Sequence, residues 1–283
     1  MKYEIDAERD GYKVYQYLFL KGYSHVAQKR LRRYIGQLTI NGRAVNALAR
    51  LSLGDVLEVS DDEDVESKVA PIDMPLDVIF EDEYLLAIDK PPALATLPTN
   101  GHYNNSLANA VVAYMRQKGA DGFVFRAVNR LDADTSGLAL IAKKNFVQHA
   151  LTGKIEKTYF AAVEGTVGCG GEINFGIKDD KTLKMRVADP SGQSALTKYV
   201  PARFGKNITG LLARPVTGRT HQLRVHFAAA GFPIVGDSKY GSPSPLIKRQ
   251  ALHSYRMDFI HPVTGKELNL ECAVREDIMD LFP

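Results

Sequence analysis

From Pro71 onward the chain is a succession of short apolar or alternating runs separated by polar punctuation, and this pattern restricts the available folds more than any other feature. The runs Asp77 to Glu81, Tyr84 to Lys90, Phe123 to Val128, Leu138 to Lys143, Tyr159 to Thr166, Leu196 to Phe204, Ile208 to Pro215 and Glu267 to Cys272 have the length and patterning of strands. Helical segments are fewer, at about Ser106 to Gln117, Asn145 to Leu151 and Thr220 to Ala230. The last is punctuated by Thr217–Gly218 before it and by Gly231 and Pro233 after it. Strands outnumber helices without regular βαβ alternation, so the pattern predicts an α+β domain on a mostly antiparallel sheet.

The first part of the chain has a different character. Helical spacing over Val14 to Leu20 and Gln28 to Ile35 precedes Leu38 to Val45, where Asn41–Gly42 is a two-residue hairpin signal because both residues tolerate positive φ. A further strand is expected at Asp55 to Val59. Between Gly11 and Gly54 stand Lys13, Lys21, Lys29, Arg30, Arg32, Arg33, Arg43 and Arg50, with no Asp or Glu among them. Such a segment suits a polyanion. Asp55, Glu58, Asp61, Asp62, Glu63, Asp64 and Glu66 follow at once, and an acidic run of this kind reads as a solvated linker. The expected organisation is therefore a small basic module over residues 1–67 and a larger domain over 68–283, a division that 283 residues can support.

Several function classes lose support. No apolar run approaches the roughly 20 residues of a membrane span, and the start Met1-Lys2-Tyr3-Glu4-Ile5-Asp6 lacks the order of a signal peptide, so a cytoplasmic protein is expected. Cys169 and Cys272 stand apart without metal-ligand spacing, which suggests two buried thiols and neither a disulfide framework nor a zinc cluster. His221 and His226 lie five apart on an expected helix, about 140° around its axis, and cannot readily share an ion. No HExxH, Walker loop or GxGxxG after a strand is present, which argues against metalloprotease, P-loop and dinucleotide chemistry.

The segment Asn129 to Lys143 carries the strongest signal, a polar loop ending in Thr135-Ser136-Gly137 before a buried run. Polar groups on a loop between rigid strands are well placed for chemistry, although Asp132 or Asp134 could equally cap a turn. This stretch resembles the HRLDxxTSG motif of the RluA family of pseudouridine synthases, with Asn129 where that motif usually carries His. Further similarity lies in Pro75 to Pro91 with its terminal Lys90–Pro91, in Lys157-Thr158-Tyr159, in Thr217 to His226, in Gly236 to Gly241 and in Leu252 to Arg256. The helix, helix, hairpin order of the N-terminal region, with its segments Ile40 to Val45 and Leu51 to Val59, resembles the S4 RNA-binding domain.

The resemblance implies a pseudouridine synthase fold with a mostly antiparallel mixed sheet and a small α/β S4-like N-terminal domain. It implies isomerisation of uridine in structured RNA, ribosomal RNA ahead of transfer RNA, by a monomer that needs neither a metal nor a nucleotide cofactor. It assigns the catalytic set to Asp132, Tyr159 and Arg219, with Asp132 near the anomeric carbon, Tyr159 offering an aromatic face to an extruded base, and Arg219 as the cation beside Asp132. RNA contact is expected from Lys29, Arg30, Arg32, Arg33, Arg43, Asn129, Arg130, Lys157 and Arg224, with a structural role the alternative for Asn129. A non-catalytic RNA-binding or assembly factor on the same scaffold, a tRNA-directed synthase and the RsuA-like branch remain open alternatives. The choice between acylal and glycal routes is open as well.

Overall fold

The computed structural model describes residues 2–21, 23, 37–59, 69–99 and 104–282. Its organising element is the strand β6 (Leu85–Lys90), in which all six side chains are buried. A strand can be apolar on consecutive residues only if both faces of its sheet are covered. Leu86 and Ile88 belong to one apolar cluster, and Leu85 and Ala87 to another on the opposite face. The same two-sided burial holds for all seven residues of β7 (Ser136–Ala142).

The described residues form a nine-stranded sheet around these two. Its order is β5 (Val78–Glu81), β6, β7, β14 (Leu252–Ile260), β8 (Glu156–Glu164), β13 (Ile208–Pro215), β12 (Thr197–Gly205) and β9 (Gly171–Ile173), with β15 (Glu267–Glu271) also paired to β14. A separate hairpin joins β10 (Ile177–Asp180) to β11 (Met185–Ala188). Every pairing is antiparallel except β7 with β14, which meet in parallel through His253 opposite Ser136 and Ser254 opposite Gly137. One edge of β14 runs along β8, while the other is shared by β7 and β15. The chain is thus α+β with a mostly antiparallel sheet, as the strand-rich pattern predicts. Gly137 permits the fork: its φ is +104°, and a Cβ there would sit 2.4 Å from the Ser254 carbonyl oxygen.

Helices α2 (Leu107–Gln117) and α4 (Gln222–Ala229) contribute Leu107, Val111, Leu223 and Phe227 to the cluster that holds Leu86 and Ile88. Helix α3 (Asn145–Leu151) contributes Phe146, Val147 and Leu151 to the other. A short α5 (Glu276–Met279) closes the chain and buries Ile278. Near the N-terminus, β1 (Lys2–Glu4), β4 (Val56–Val59), β2 (Leu38–Ile40) and β3 (Arg43–Ala44) form a four-stranded sheet in the order β1-β4-β2-β3. With α1 (Val14–Leu20) it supplies Val14, Leu18, Leu38 and Leu57 to the α3-side cluster, joined by Ile5 just after β1. Asn41 and Gly42 make the expected turn, with φ of 51° and 78°. The second expected helix, Gln28 to Ile35, and the acidic run from Asp61 to Glu66 lie outside the described residues.

Three expectations change. Residues 123–128 run beside β7 but form only an isolated bridge, Ala127 with Ile141, and the backbone bonds from Val128 to Leu140 and from Ala142 to Arg126. Conversely β14, with His253, Ser254, Arg256 and Asp258 in it, is a central strand that apolar patterning did not mark. Its His253 is buried because polar groups receive it, Nδ1 lying 2.9 Å from the Ser136 hydroxyl and Nε2 3.2 Å from Cys272 Sγ. Cys169 is exposed, not buried. No helix among the described residues is long and apolar enough to cross a membrane.

Candidate active site

The loop before β7 is fixed by its own backbone groups. Asn129 is buried; its side-chain amide donates to the Leu138 carbonyl at 3.1 Å and its Oδ1 accepts the Leu140 N–H at 2.7 Å, so the loop is clamped onto β7 at its start. The Thr96 hydroxyl donates to the Leu131 carbonyl at 2.8 Å and accepts the Leu131 N–H at 3.1 Å. Lys90, with no exposed surface, donates to the carbonyls of Pro91, Leu94 and Ala133 at 2.9, 2.7 and 2.9 Å. Arg249 donates to the Asp134 carbonyl at 3.1 Å. Each partner satisfies a polar group that burial would otherwise leave unpaired, so the loop has little freedom to move. A turn closes by backbone from Thr135 N–H to the Asp132 carbonyl at 3.1 Å. The Asp132 carboxylate is not spent on that cap.

That carboxylate meets helix α4. Arg224 donates through Nη1 to Asp132 Oδ2 at 2.9 Å, and through Nε and Nη2 to the two oxygens of Asp237 at 2.7 and 2.9 Å. Asp237 is fully buried, and its Oδ1 also accepts the backbone N–H groups of Lys239 and Tyr240. The guanidinium thus bridges a buried anion and a partly open one, and this planar fork geometry is one that Lys cannot reproduce. Burial alone would weaken the charge on Arg224, but its bonds to Asp237 and Asp132 outweigh this and hold its pKa above the ordinary arginine value.

Helix α4 is positioned by its first residue, Gln222, and by the residues just before it. The Gln222 amide donates to the Leu196 carbonyl at 2.9 Å and to Thr197 Oγ1 at 3.1 Å, while its Oε1 accepts from Thr217 Oγ1 at 2.7 Å and from the Arg219 N–H at 3.0 Å. His221 takes left-handed backbone, φ 56°, and faces the site. Its Nδ1 lies 2.7 Å from the Tyr240 hydroxyl, and its Nε2 lies 3.7 Å from Asp132 Oδ2. The Tyr240 oxygen accepts the Arg186 N–H at 3.3 Å, and its ring lies 5.1 Å from the Arg224 guanidinium. Burial pushes the His221 pKa down, with Asp132 opposing and Arg224 assisting, so the imidazole is neutral near pH 7.

These groups border an open cavity of about 340 Å³, within the range of small-ligand sites. Arg130, Asp132, Lys157, Tyr159, Arg219, His221 and Arg224 all line it. The Tyr159 phenol is buried, which raises its pKa to about 12 and keeps it protonated across the physiological range. Burial also lowers the pKa of Lys157, a cation drawn back into the wall.

Asp132 and Tyr159 therefore meet in one cavity, and Asp134, chemically equivalent in the sequence, is exposed and absent from the lining. Two expectations are corrected here. The cation bonded to Asp132 is Arg224 and not Arg219, because the left-handed turn at His221 leaves Arg219 ahead of the helix. There its Nε donates to the Ser194 carbonyl at 3.0 Å and its side chain is exposed at the cavity wall. Arg224, expected at RNA, is only 9% exposed at its side chain and is held by two carboxylates. Asn129, expected in a structural or RNA-orienting role, makes structural bonds to β7. Arg130 is exposed at the cavity and Arg43 is exposed on β3. Lys29, Arg30, Arg32 and Arg33 lie outside the described residues. Lys90, His221, Asp237 and Tyr240 were not singled out as site residues. The available signal was that a buried Lys or Asp must have partners, and the partners are distant in sequence.

Comparison with known proteins agrees with this architecture. A family model described as RNA pseudouridylate synthase matches residues 84–229. The chain is 34% identical over 255 residues to an uncharacterized RNA pseudouridine synthase of Bacillus subtilis, YjbO, covering 87% of this chain and 90% of that one. It is 33% identical over 281 residues to a protein of Xylella fastidiosa named ribosomal large subunit pseudouridine synthase D, covering 90% and 84%. Among solved structures, human RNA pseudouridylate synthase domain containing 1 superposes with a TM-score of 0.58 at 22% identity, over 70% of this chain and 83% of that one, a likeness of fold. Over most of its length, and with its Asp132 loop, strand β8 and the start of helix α4 assembled around one cavity, this chain belongs to the RNA pseudouridylate synthase family and is an isomerase that acts on RNA.

Proposed function

We propose that this protein converts uridine to pseudouridine in ribosomal RNA of the large subunit, with Asp132 as the reacting carboxylate. The observation that carries the assignment is the Asp132–Arg224 contact at 2.9 Å on the wall of a nucleotide-sized cavity that Tyr159 also lines. The reaction breaks the bond from N1 to C1′, turns the base and joins C5 to C1′, so atoms and electrons balance within the substrate. An ionised carboxylate can attack C1′ or accept a sugar proton, and both routes use the same pinned oxygen pair. Arg224 balances the Asp132 charge without competing for protons. Tyr159 offers an aromatic face to a uracil drawn out of its stack, and exposed Arg130 beside the loop takes the vacated position in the RNA or grips a phosphate.

Residues 1–67 act in this proposal as an S4-like RNA-binding domain, with Lys29, Arg30, Arg32, Arg33 and Arg43 on phosphates. Its support is the acid-free basic stretch between Gly11 and Gly54. Residues 68–283 form the catalytic domain, and the protein works as a cytoplasmic monomer. The large-subunit assignment follows the names of relatives such as the Xylella fastidiosa protein. Carbodiimide mapping of ribosomal and transfer RNA from cells lacking the gene, then supplied with wild-type or Asp132→Asn protein, tests it. A large-subunit site restored by wild type alone is expected, with the variant still binding RNA. Restoration by Asp132→Asn would remove Asp132 from the chemistry, and a missing modification confined to tRNA would overturn the substrate class.

A further inference from the structure

Three side chains from separate parts of the chain, none of them in the lining of the catalytic cavity, converge: Asp89 near the end of β6, His253 in β14 and Cys272 just after β15. One ligand atom from each lies within 4.8 Å of the others, and all three residues are buried. Cys272 Sγ is 3.2 Å from His253 Nε2. The Asp89 side chain is 8% exposed; its Oδ2 pairs with Arg275 at 2.8 Å, but its buried Oδ1 has no hydrogen-bond partner. Leaving a carboxylate oxygen unpaired in the interior is costly, and such an orphan calls for an occupant.

We propose that Asp89 Oδ1, His253 Nε2 and Cys272 Sγ bind a structural zinc ion. One oxygen, one imidazole nitrogen and one sulfur form a donor set for zinc, whereas magnesium and calcium require oxygens throughout. The imidazole is already oriented for it: Nδ1 lies 2.9 Å from the Ser136 hydroxyl, which can accept the Nδ1 proton and leave the Nε2 lone pair facing the sulfur. Asp89 and a Cys272 thiolate together offset the dication, and the Arg275 guanidinium, still on Oδ2, leaves the cluster with one net positive charge. Without a cation, burial keeps the thiol protonated, with its pKa raised to about 12. Binding therefore releases one proton, from Cys–SH to Cys–S–Zn. The Ser254 carbonyl, 3.5 Å from Sγ, is a nearby further donor for a fourth position. The ion would tie β6 to β14 and the segment after β15, one residue from Lys90 and hence from the clamp on the Asp132 loop. It takes no part in the isomerisation.

The test uses the full-length protein, refolded with zinc or cobalt(II) and dialysed against metal-free buffer. Elemental analysis should find one zinc per chain, and the cobalt form should show sulfur-to-cobalt charge-transfer absorption in the near ultraviolet. Cys272→Ala should abolish both, and Cys272→Ser, which retains a polar group of similar size, covers the case in which Ala prevents folding. Cys169→Ala, removing the other, exposed thiol, should change neither. Ser136→Ala should weaken metal affinity by about 10- to 100-fold. Wild-type protein with no retained metal and no thiolate band overturns the proposal in favour of a hydrogen-bonded thiol, and a band that survives in the folded Cys272 variant overturns it equally.

Discussion

Replacing Arg224 by Met should separate the two arginines that the sequence leaves as candidates for the partner of Asp132. Arg224 makes three charge-assisted hydrogen bonds, two of them to Asp237, whose side chain is fully buried. Its removal leaves an uncompensated buried carboxylate, a loss of about 3–5 kcal/mol in comparable cases. For a chain of this size that corresponds to a fall in Tm on the order of 10 °C. The Asp132 carboxylate also loses its direct cation, and turnover measured well below the melting temperature should drop by about 10²–10³. Arg219→Met removes one bond to the Ser194 carbonyl from an exposed side chain and should leave Tm within about 2 °C. Tm is read by circular dichroism, turnover by tritium release from uridine-labelled RNA, and RNA retention by filter binding, which should hold for both variants. A stable and active Arg224→Met protein beside an inactive Arg219→Met protein would refute the ion-pair assignment.

Lys90→Met leaves three backbone carbonyls without their donor and should lower stability by at least about 3 kcal/mol, with turnover falling as the Asp132 loop loosens; a urea midpoint equal to wild type would contradict the clamp. Tyr159→Phe keeps the aromatic face, so RNA binding should persist and turnover should exceed that of Tyr159→Leu; and because the phenol pKa is about 12, the wild-type rate should show no limb from its ionisation below pH 10 or so. In the metal-free protein His253 is fully buried, which pulls its pKa from 6.5 to about 4, so the native imidazole stays neutral while the unfolded one takes up a proton. Its contribution is present above pH 6.5 and is lost as pH falls toward 4, a change of roughly 3 kcal/mol in urea unfolding that His253→Gln should flatten. An acid limb of equal size in that variant would assign the loss to other groups.

Local patterning determined a good deal about this protein. Helix α1, the Asn41–Gly42 hairpin, helices α2 and α3 and most strands of the main sheet follow from the spacing of apolar residues and from turn residues that accept positive φ, because those effects act within a few residues. The motif around Asp132 likewise marks the reactive loop by its own composition. Strand β14 escaped because His253 is buried among polar groups from β7 and from the end of β15, a compensation that no window of neighbouring residues displays. For the same reason the tertiary structure alone decided which arginine serves Asp132. Arg219 and Arg224 are five residues apart and chemically alike, and the distinction rests on the left-handed turn at His221 and on Asp237 being carried to the far side of the guanidinium. The meeting of Asp89, His253 and Cys272, up to 183 residues apart, depends on the parallel junction of β7 and β14, which chain folding creates and linear order does not announce.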